Sequence, residues 1–263
     1  VPEDITCVVL THHHPDHTGF IHYLPQNIAL YGHRRVEPWI RKDSVFFTQH
    51  DLYFIEYARK LGVPDDYFKY IPKLEEVLKL GGKGSLKASL KEGETIPGFT
   101  EWQVVYTPGH AQSHISLFRS SDGLFIGGDV LLEHISSNPI HEPPYHDKEV
   151  APKTFLQYRA TLKKVEGMAI QKILPGHGSV FPFTKGLIEE RFKQQEERRD
   201  KIKHHLKIQA RTTFELGELM FRSVIIQQLD LVLSEVQGYL DWLIDSGEVG
   251  MEVIDGTVYY RLI

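Results

Sequence analysis

The chain opens on Ile5-Thr6-Cys7-Val8-Val9-Leu10, a short β-branched apolar run that predicts a buried strand. It passes straight into Thr11-His12-His13-His14-Pro15-Asp16-His17, where Pro15 predicts a break in regular structure. Between 36 and 71 nine aromatic residues fall at helical spacing, which predicts helices with an aromatic face. Leu80-Gly81-Gly82-Lys83-Gly84 marks a flexible turn. Apolar runs at 102–106, 114–118 and 123–126, divided by Gly and polar turns, predict three strands. A Pro-rich loop at 136–144 interrupts the pattern; then 154–166 predicts an amphipathic helix and 170–174 another buried strand.

Strands alternating with helices across Gly-rich junctions imply a layered α/β domain over residues 1–185. A charged linker helix is predicted over 186–211, and from 191 onward it carries eight Lys/Arg against three acids, a balance of +5. Residues 212–263 predict a short helix near 213–221 and an amphipathic helix near 228–246. Two strands follow, 248–254 and 257–262, joined by the hairpin dipeptide Asp255-Gly256. Helix, helix, then hairpin suggests a winged-helix-like domain.

Composition narrows the function classes. With 263 residues, 41% hydrophobic and 25% charged, the chain has ordinary globular usage, which excludes a disordered or collagen-like protein. No apolar run approaches the ~18 residues of a membrane helix, so no membrane partner is expected. The acidic start at 1–4 leads into no signal-peptide core, and the single cysteine, Cys7, can form no internal disulfide. Both features predict a cytoplasmic protein. The net charge of −5 gives no general pull toward nucleic acid.

The 15 histidines carry the chemistry. His12-x-His14-x-Asp16-His17 leaves the first strand directly, and a loop leaving a strand can aim alternate side chains at one point. Three more predicted strands end the same way: in Thr107-Pro108-Gly109-His110, in Ile126-Gly127-Gly128-Asp129 and in Leu174-Pro175-Gly176-His177. Open sheets present their sites at strand ends, so four such loops can converge. Imidazole nitrogens and carboxylates suit zinc and similar borderline metals. Taken singly, each of these residues is more often structural; the four segments together point to a metal site.

The ordered quartet H-x-H-x-D-H, PGH, GGD and PGHG resembles the metallo-β-lactamase-fold hydrolases over residues 5–180. That resemblance implies a four-layer αββα sandwich and two divalent metal ions, zinc foremost with manganese or iron as alternatives. It implies His12, His14 and His110 at the first ion, Asp16, His17 and His177 at the second, and Asp129 bridging. Thr107-Pro108-Gly109-His110-Ala111-Gln112-Ser113-His114 together with the tail is most similar to the branch with a C-terminal winged helix. That branch is called β-lactamase-like protein or hydroxyacylglutathione-hydrolase-like, and with its neighbours it includes ester and thioester hydrolases and a single-strand endoribonuclease. The family carries several strands before the H-x-H-x-D-H strand, whereas about ten residues precede it here, so an N-terminally shortened chain is expected.

Two ions ~3.5–4 Å apart would hold a bridging hydroxide that attacks a carbonyl carbon or a phosphorus atom. Asp16 is the expected group to orient it and pass its proton to the leaving group. No Ser or Cys nucleophile is needed. The expected function is therefore hydrolysis of an ester, thioester or lactone of a small molecule, with endoribonuclease action as the alternative. His114, Asn138 and Tyr145 are candidate substrate contacts, while His13 is expected to pack, and His134, His141 and His146 lie in or beside the Pro-rich loop. Residues 36–71 could form either an apolar acyl pocket or a helix core. The tail holds nine acids and two bases, which disfavours nucleic acid and suggests a packing, pocket-covering or homodimer-forming role.

Overall fold

The computed structural model describes residues 4–71, 74–145 and 149–263; residues 1–3 and His146 lie outside the described residues. The elements run β1 (Cys7–Leu10), α1 (Pro15–Thr18), β2 (Ala29–Gly32), α2 (Glu37–Arg41), α3 (Ser44–Lys60), α4 (Leu74–Val77), β3 (Ala88–Ser89), β4 (Thr95–Ile96), β5 (Phe99–Tyr106), β6 (Ile115–Arg119) and β7 (Leu124–Gly128). After the Pro-rich loop come α5 (Thr154–Glu166), β8 (Lys172–Pro175), β9 (Phe181–Pro182), α6 (Lys185–Ile208), α7 (Thr213–Phe221), α8 (Leu229–Asp245), β10 (Val249–Ile254) and β11 (Thr257–Leu262).

The strands sort into two facing sheets and a hairpin. β1, β2 and β3 pair in parallel, in that order, with Cys7 opposite Ala29 and Leu10 opposite Gly32. β4 to β9 form a six-stranded sheet in chain order, antiparallel except where β7 lies beside β8. Parallel neighbours need a crossover, which α5 supplies between β7 and β8. Strand alternation sends successive side chains to opposite faces. Cys7, Val9 and Tyr31 therefore meet Val104, Ile115 and Leu117 between the sheets. Val8, Leu10 and Leu30 face outward onto Ile21, Val36 and Ile40. On the far side, Val105, Phe125 and Ile173 pack under Tyr158 and Leu162 of α5 and Ile188 of α6. Helices, sheet, sheet, helices is the expected four-layer αββα order.

Local chemistry starts the helices. Asp43 caps α3, accepting from the N–H groups of Val45 at 3.0 Å and Phe46 at 3.1 Å. Thr212 and Glu215 form a reciprocal capping box on α7. One expectation is corrected: Pro15 does not break structure but opens the helical turn α1. Proline at the first helical position costs nothing, because that N–H has no helical partner anyway.

The two C-terminal helices and the hairpin share their core with the rest of the chain. Leu216, Val236, Leu240 and Tyr260 cluster with Ala58 of α3, Phe155 of α5 and Ile202 and Leu206 of α6. Arg211 and Tyr260 close a backbone bridge in both directions. Charge completes the contact: Arg198 meets Glu235, while Arg199 and Lys203 of α6 converge on Glu248. This docking brings the start of α8 against the Pro-rich loop. Asn138 Nδ2 donates to the Leu231 carbonyl at 3.1 Å, and the His141 N–H donates to Ser234 Oγ at 3.1 Å. No helix among the described residues is long and apolar enough to cross a membrane.

Candidate metal centre

The four loops that leave β1, β5, β7 and β8 meet at one edge of the sandwich. His14 and His110 face each other with Nδ1 and Nε2 3.1 Å apart, and His17 and His177 face each other with their Nε2 atoms 3.2 Å apart. Asp129 stands between the pairs, its Oδ2 3.5 Å from His110 Nε2 and 3.3 Å from His177 Nε2. Asp16 Oδ2 lies 3.1 Å from His177 Nε2 and 3.4 Å from His17 Nε2. All seven ligand-type side chains thus come together, in three overlapping groups: His12–His14–His110, His12–His17–Asp129 and Asp16–His17–His177.

This donor set fits divalent cations. Two nitrogens bound to one tetrahedral ion at about 2.0–2.1 Å lie roughly 3.4 Å apart, close to the separations seen here. His12 Nε2 is fully buried and has no hydrogen-bond partner, and neither does Asp129 Oδ1. Buried polar atoms without partners are costly, and a cation repays that cost. Burial, then the neighbouring imidazoles, holds His12 and His14 well below the ordinary histidine value, which keeps them neutral and able to coordinate. His110 is also lowered, by burial first. For Asp129 burial works upward, but the close approach of His17, 3.4 Å from Oδ1, and the charges of His110, His17 and His177 outweigh it and keep the carboxylate ionised.

Glycines permit the close approach. A Cβ on Gly176 would sit 2.1 Å from Asp129 Oδ1 and 2.7 Å from His17 Cε1. Gly128 adopts φ of 51°, and a Cβ there would strike His114 Nε2 at 2.7 Å.

His114 is fully buried behind the centre. Its Nε2 accepts the Asp129 N–H at 3.0 Å, so its Nδ1–H donates to Thr107 Oγ1 at 2.7 Å. Thr107 Oγ1 lies 2.9 Å from Ser116 Oγ, which donates to the Gly127 carbonyl at 3.2 Å. Ser137 Oγ donates to the Asp129 carbonyl. The Asn138 carbonyl accepts from His110 Nδ1 at 2.8 Å, which orients that ring. Tyr145 lies farther out, its hydroxyl accepting from Trp39 Nε1 at 2.8 Å and donating to Glu142 at 2.7 Å. His13 is buried, 2.8 Å from Ser113 Oγ and stacked on Trp39 at 3.8 Å. His134 is exposed, and His141 is buried, 2.7 Å from the Tyr53 hydroxyl. Thr107, Ser116 and Ser137 escaped sequence reasoning because an isolated hydroxyl carries no spacing signal.

Residues 2–177 match the family model of the Metallo-beta-lactamase superfamily. The chain is 34% identical over 259 residues to the probable metallo-hydrolase YqjP of Bacillus subtilis, covering 98% of this chain and 81% of that protein. It is 27% identical to the probable metallo-hydrolase YflN of the same organism, covering 66% of this chain and 64% of that one. A metallo-beta-lactamase family protein from Thermus thermophilus shares the fold at a TM-score of 0.79 and 20% identity, over 100% of this chain and 81% of that structure. A beta-lactamase domain protein from Burkholderia ambifaria does so at 0.78 and 23%, over 98% and 75%. The chain belongs to the metallo-β-lactamase superfamily and is a metallo-hydrolase.

Proposed function

We propose that this metallo-hydrolase is dinuclear and attacks the ester, thioester or lactone carbonyl of a small molecule. The observation that carries the reading is the convergence of seven ligand-type side chains around Asp129, with His12 Nε2 buried and unpartnered. His12, His14 and His110 would hold one divalent cation, and Asp16, His17 and His177 a second, with Asp129 reaching toward both. When bound, the cations (zinc, or else manganese or iron) lower the pKa of water to about 7 and polarise the carbonyl. Asp16 is the half-exposed carboxylate at the rim; it orients the attacking water and carries the released proton to the leaving group. His114 and the Asn138 carbonyl position Asp129 and His110 rather than touch the substrate.

Charge supports a small molecule over RNA. Three of the eight Lys/Arg in the 191–211 stretch, Arg198, Arg199 and Lys203, are spent on Glu235 and Glu248 of the acidic tail, which lowers the charge that the basic helix can offer to phosphates. The test is elemental analysis combined with turnover of a p-nitrophenyl ester, an acyl thioester and a single-stranded RNA. Two cations per chain with ester or thioester turnover, both lost in His110→Ala or after chelation, is the expected result. RNA cleavage without ester turnover, or one iron per chain without hydrolysis, overturns the reading.

A further inference from the structure

A cavity of about 400 Å³ opens beside the metal centre, within the size range of small-molecule sites. His14 and Pro15 stand at one end, and its walls include Trp39, Phe54, Phe68, Ile71, Leu74 and Leu78. A row of rings ties it to the centre. His14 lies 4.8 Å from His13, His13 stacks on Trp39 at 3.8 Å, Trp39 meets His50 at 5.4 Å, and His50 meets Phe54 at 4.6 Å.

The polar atoms on these walls are largely committed to protein partners. His141 is bonded to the Tyr53 hydroxyl at 2.7 Å, and its N–H to Ser234, whose hydroxyl donates to the Asp230 carbonyl at 2.8 Å. Asp51 accepts the Leu74 N–H at 3.2 Å, and Glu142 is held by the Gln112 N–H and Tyr145. Among the described residues no Lys or Arg lines the cavity, while Asp51, Glu142 and Asp230 do. Phosphate, sugar and carboxylate groups therefore find no Lys or Arg countercharge and, beyond the unpartnered His50 Nδ1, few uncommitted polar atoms, whereas an apolar group finds aromatic and aliphatic surface. The wall is also pre-formed, since Tyr145 and Glu142 brace Trp39 from behind.

We propose that this cavity seats the apolar acyl group of the substrate, with the scissile carbonyl at the His14 end. This rests on the hydrolase reading and narrows its substrate class to esters or thioesters of apolar acids. The leaving group then lies on the open side, toward Asp16 and His177, which are about half exposed.

The test is a chain-length series of acyl thioesters of N-acetylcysteamine, from acetyl to decanoyl, on metal-loaded protein, with calorimetric titration of butyrate and octanoate. Burial of each methylene should raise kcat/KM about fourfold until the cavity is full, and octanoate should bind on the order of a hundredfold tighter than butyrate. An acyl chain of equal length ending in a carboxylate should be rejected. Ile55→Trp, which fills the cavity from α3, should flatten the series and weaken octanoate binding toward that of butyrate. Phe54→Ala should instead shift the optimum toward longer chains, so the proposal does not depend on one variant folding. Thioester turnover with a flat profile and equal binding of the two acids overturns the cavity assignment and leaves the hydrolase intact. Length-dependent binding of octanoate without turnover of any ester supports the cavity and overturns the hydrolase reading.

Discussion

Replacing His114 with alanine removes one residue that touches no candidate cation yet holds the loop that presents Asp129. The Asp129 N–H is a fixed donor, so His114 Nε2 must accept, and the ring is the neutral Nδ1–H tautomer. Burial, then the neighbouring His110, presses its pKa down to about 3, so the tautomer persists across the working pH range. Truncation leaves the buried Asp129 N–H unpaired, at about 1–3 kcal/mol, and breaks the link to Thr107, at about 1 kcal/mol. A total near 3 kcal/mol corresponds to a fall in Tm of roughly 6–12 °C for a chain of this size. Loss of a residue that orients ligands also costs about 10–100-fold in metal affinity. The assay pairs thermal melting of the metal-free protein with competition against a chromophoric chelator. His114→Gln keeps an acceptor and a donor and should recover part of both losses. An alanine variant with unchanged Tm and unchanged metal affinity would refute the reasoning.

Two further perturbations follow from the same geometry. Gly176→Ala places a methyl 2.1 Å from Asp129 Oδ1, so the carboxylate must move; metal stoichiometry and turnover should fall together while far-ultraviolet dichroism stays native, and full metal content would count against it. Burial pushes Glu142 up from 4.5 to about 7, against hydrogen bonds from Gln112 and Tyr145. The folded protein then keeps a proton that the unfolded chain has released, so Glu142 costs stability as pH rises from about 4.5 to 7, and the full cost of about 3 kcal/mol persists above that. Glu142→Gln removes this cost, so the Tm difference between variant and wild type should grow from pH 5 to pH 8; parallel melting across that range would contradict it.

Much of the site was legible in the chain because it is local. His12, His14, Asp16 and His17 follow one apolar strand, and His110, Asp129 and His177 each follow a glycine at the end of another, so strand periodicity and turn residues are enough to locate them. The helices at 154–166 and 213–221 were legible for the same reason. β2, β3, β4 and β9 were not, since two to four residues carry too little alternation to separate strand from loop. Pro15 reads as a break in the sequence yet starts α1, because proline's effect depends on whether a helix begins at it or passes through it.

Residue order alone settles which faces are apolar, where strands end, and which donors stand at those ends. Packing settles which of those faces meet. Periodicity records that Trp39, Phe54 and Leu74 lie on apolar faces, but not that α8, more than 150 residues later, closes the cavity with Asp230 and Ser234. Asn138 and Tyr145 likewise find partners in distant segments, at Leu231 and Trp39. Side chains pair according to which buried donors and acceptors the packed layers leave facing one another. That choice is made by the whole fold at once, so no local pattern carries it.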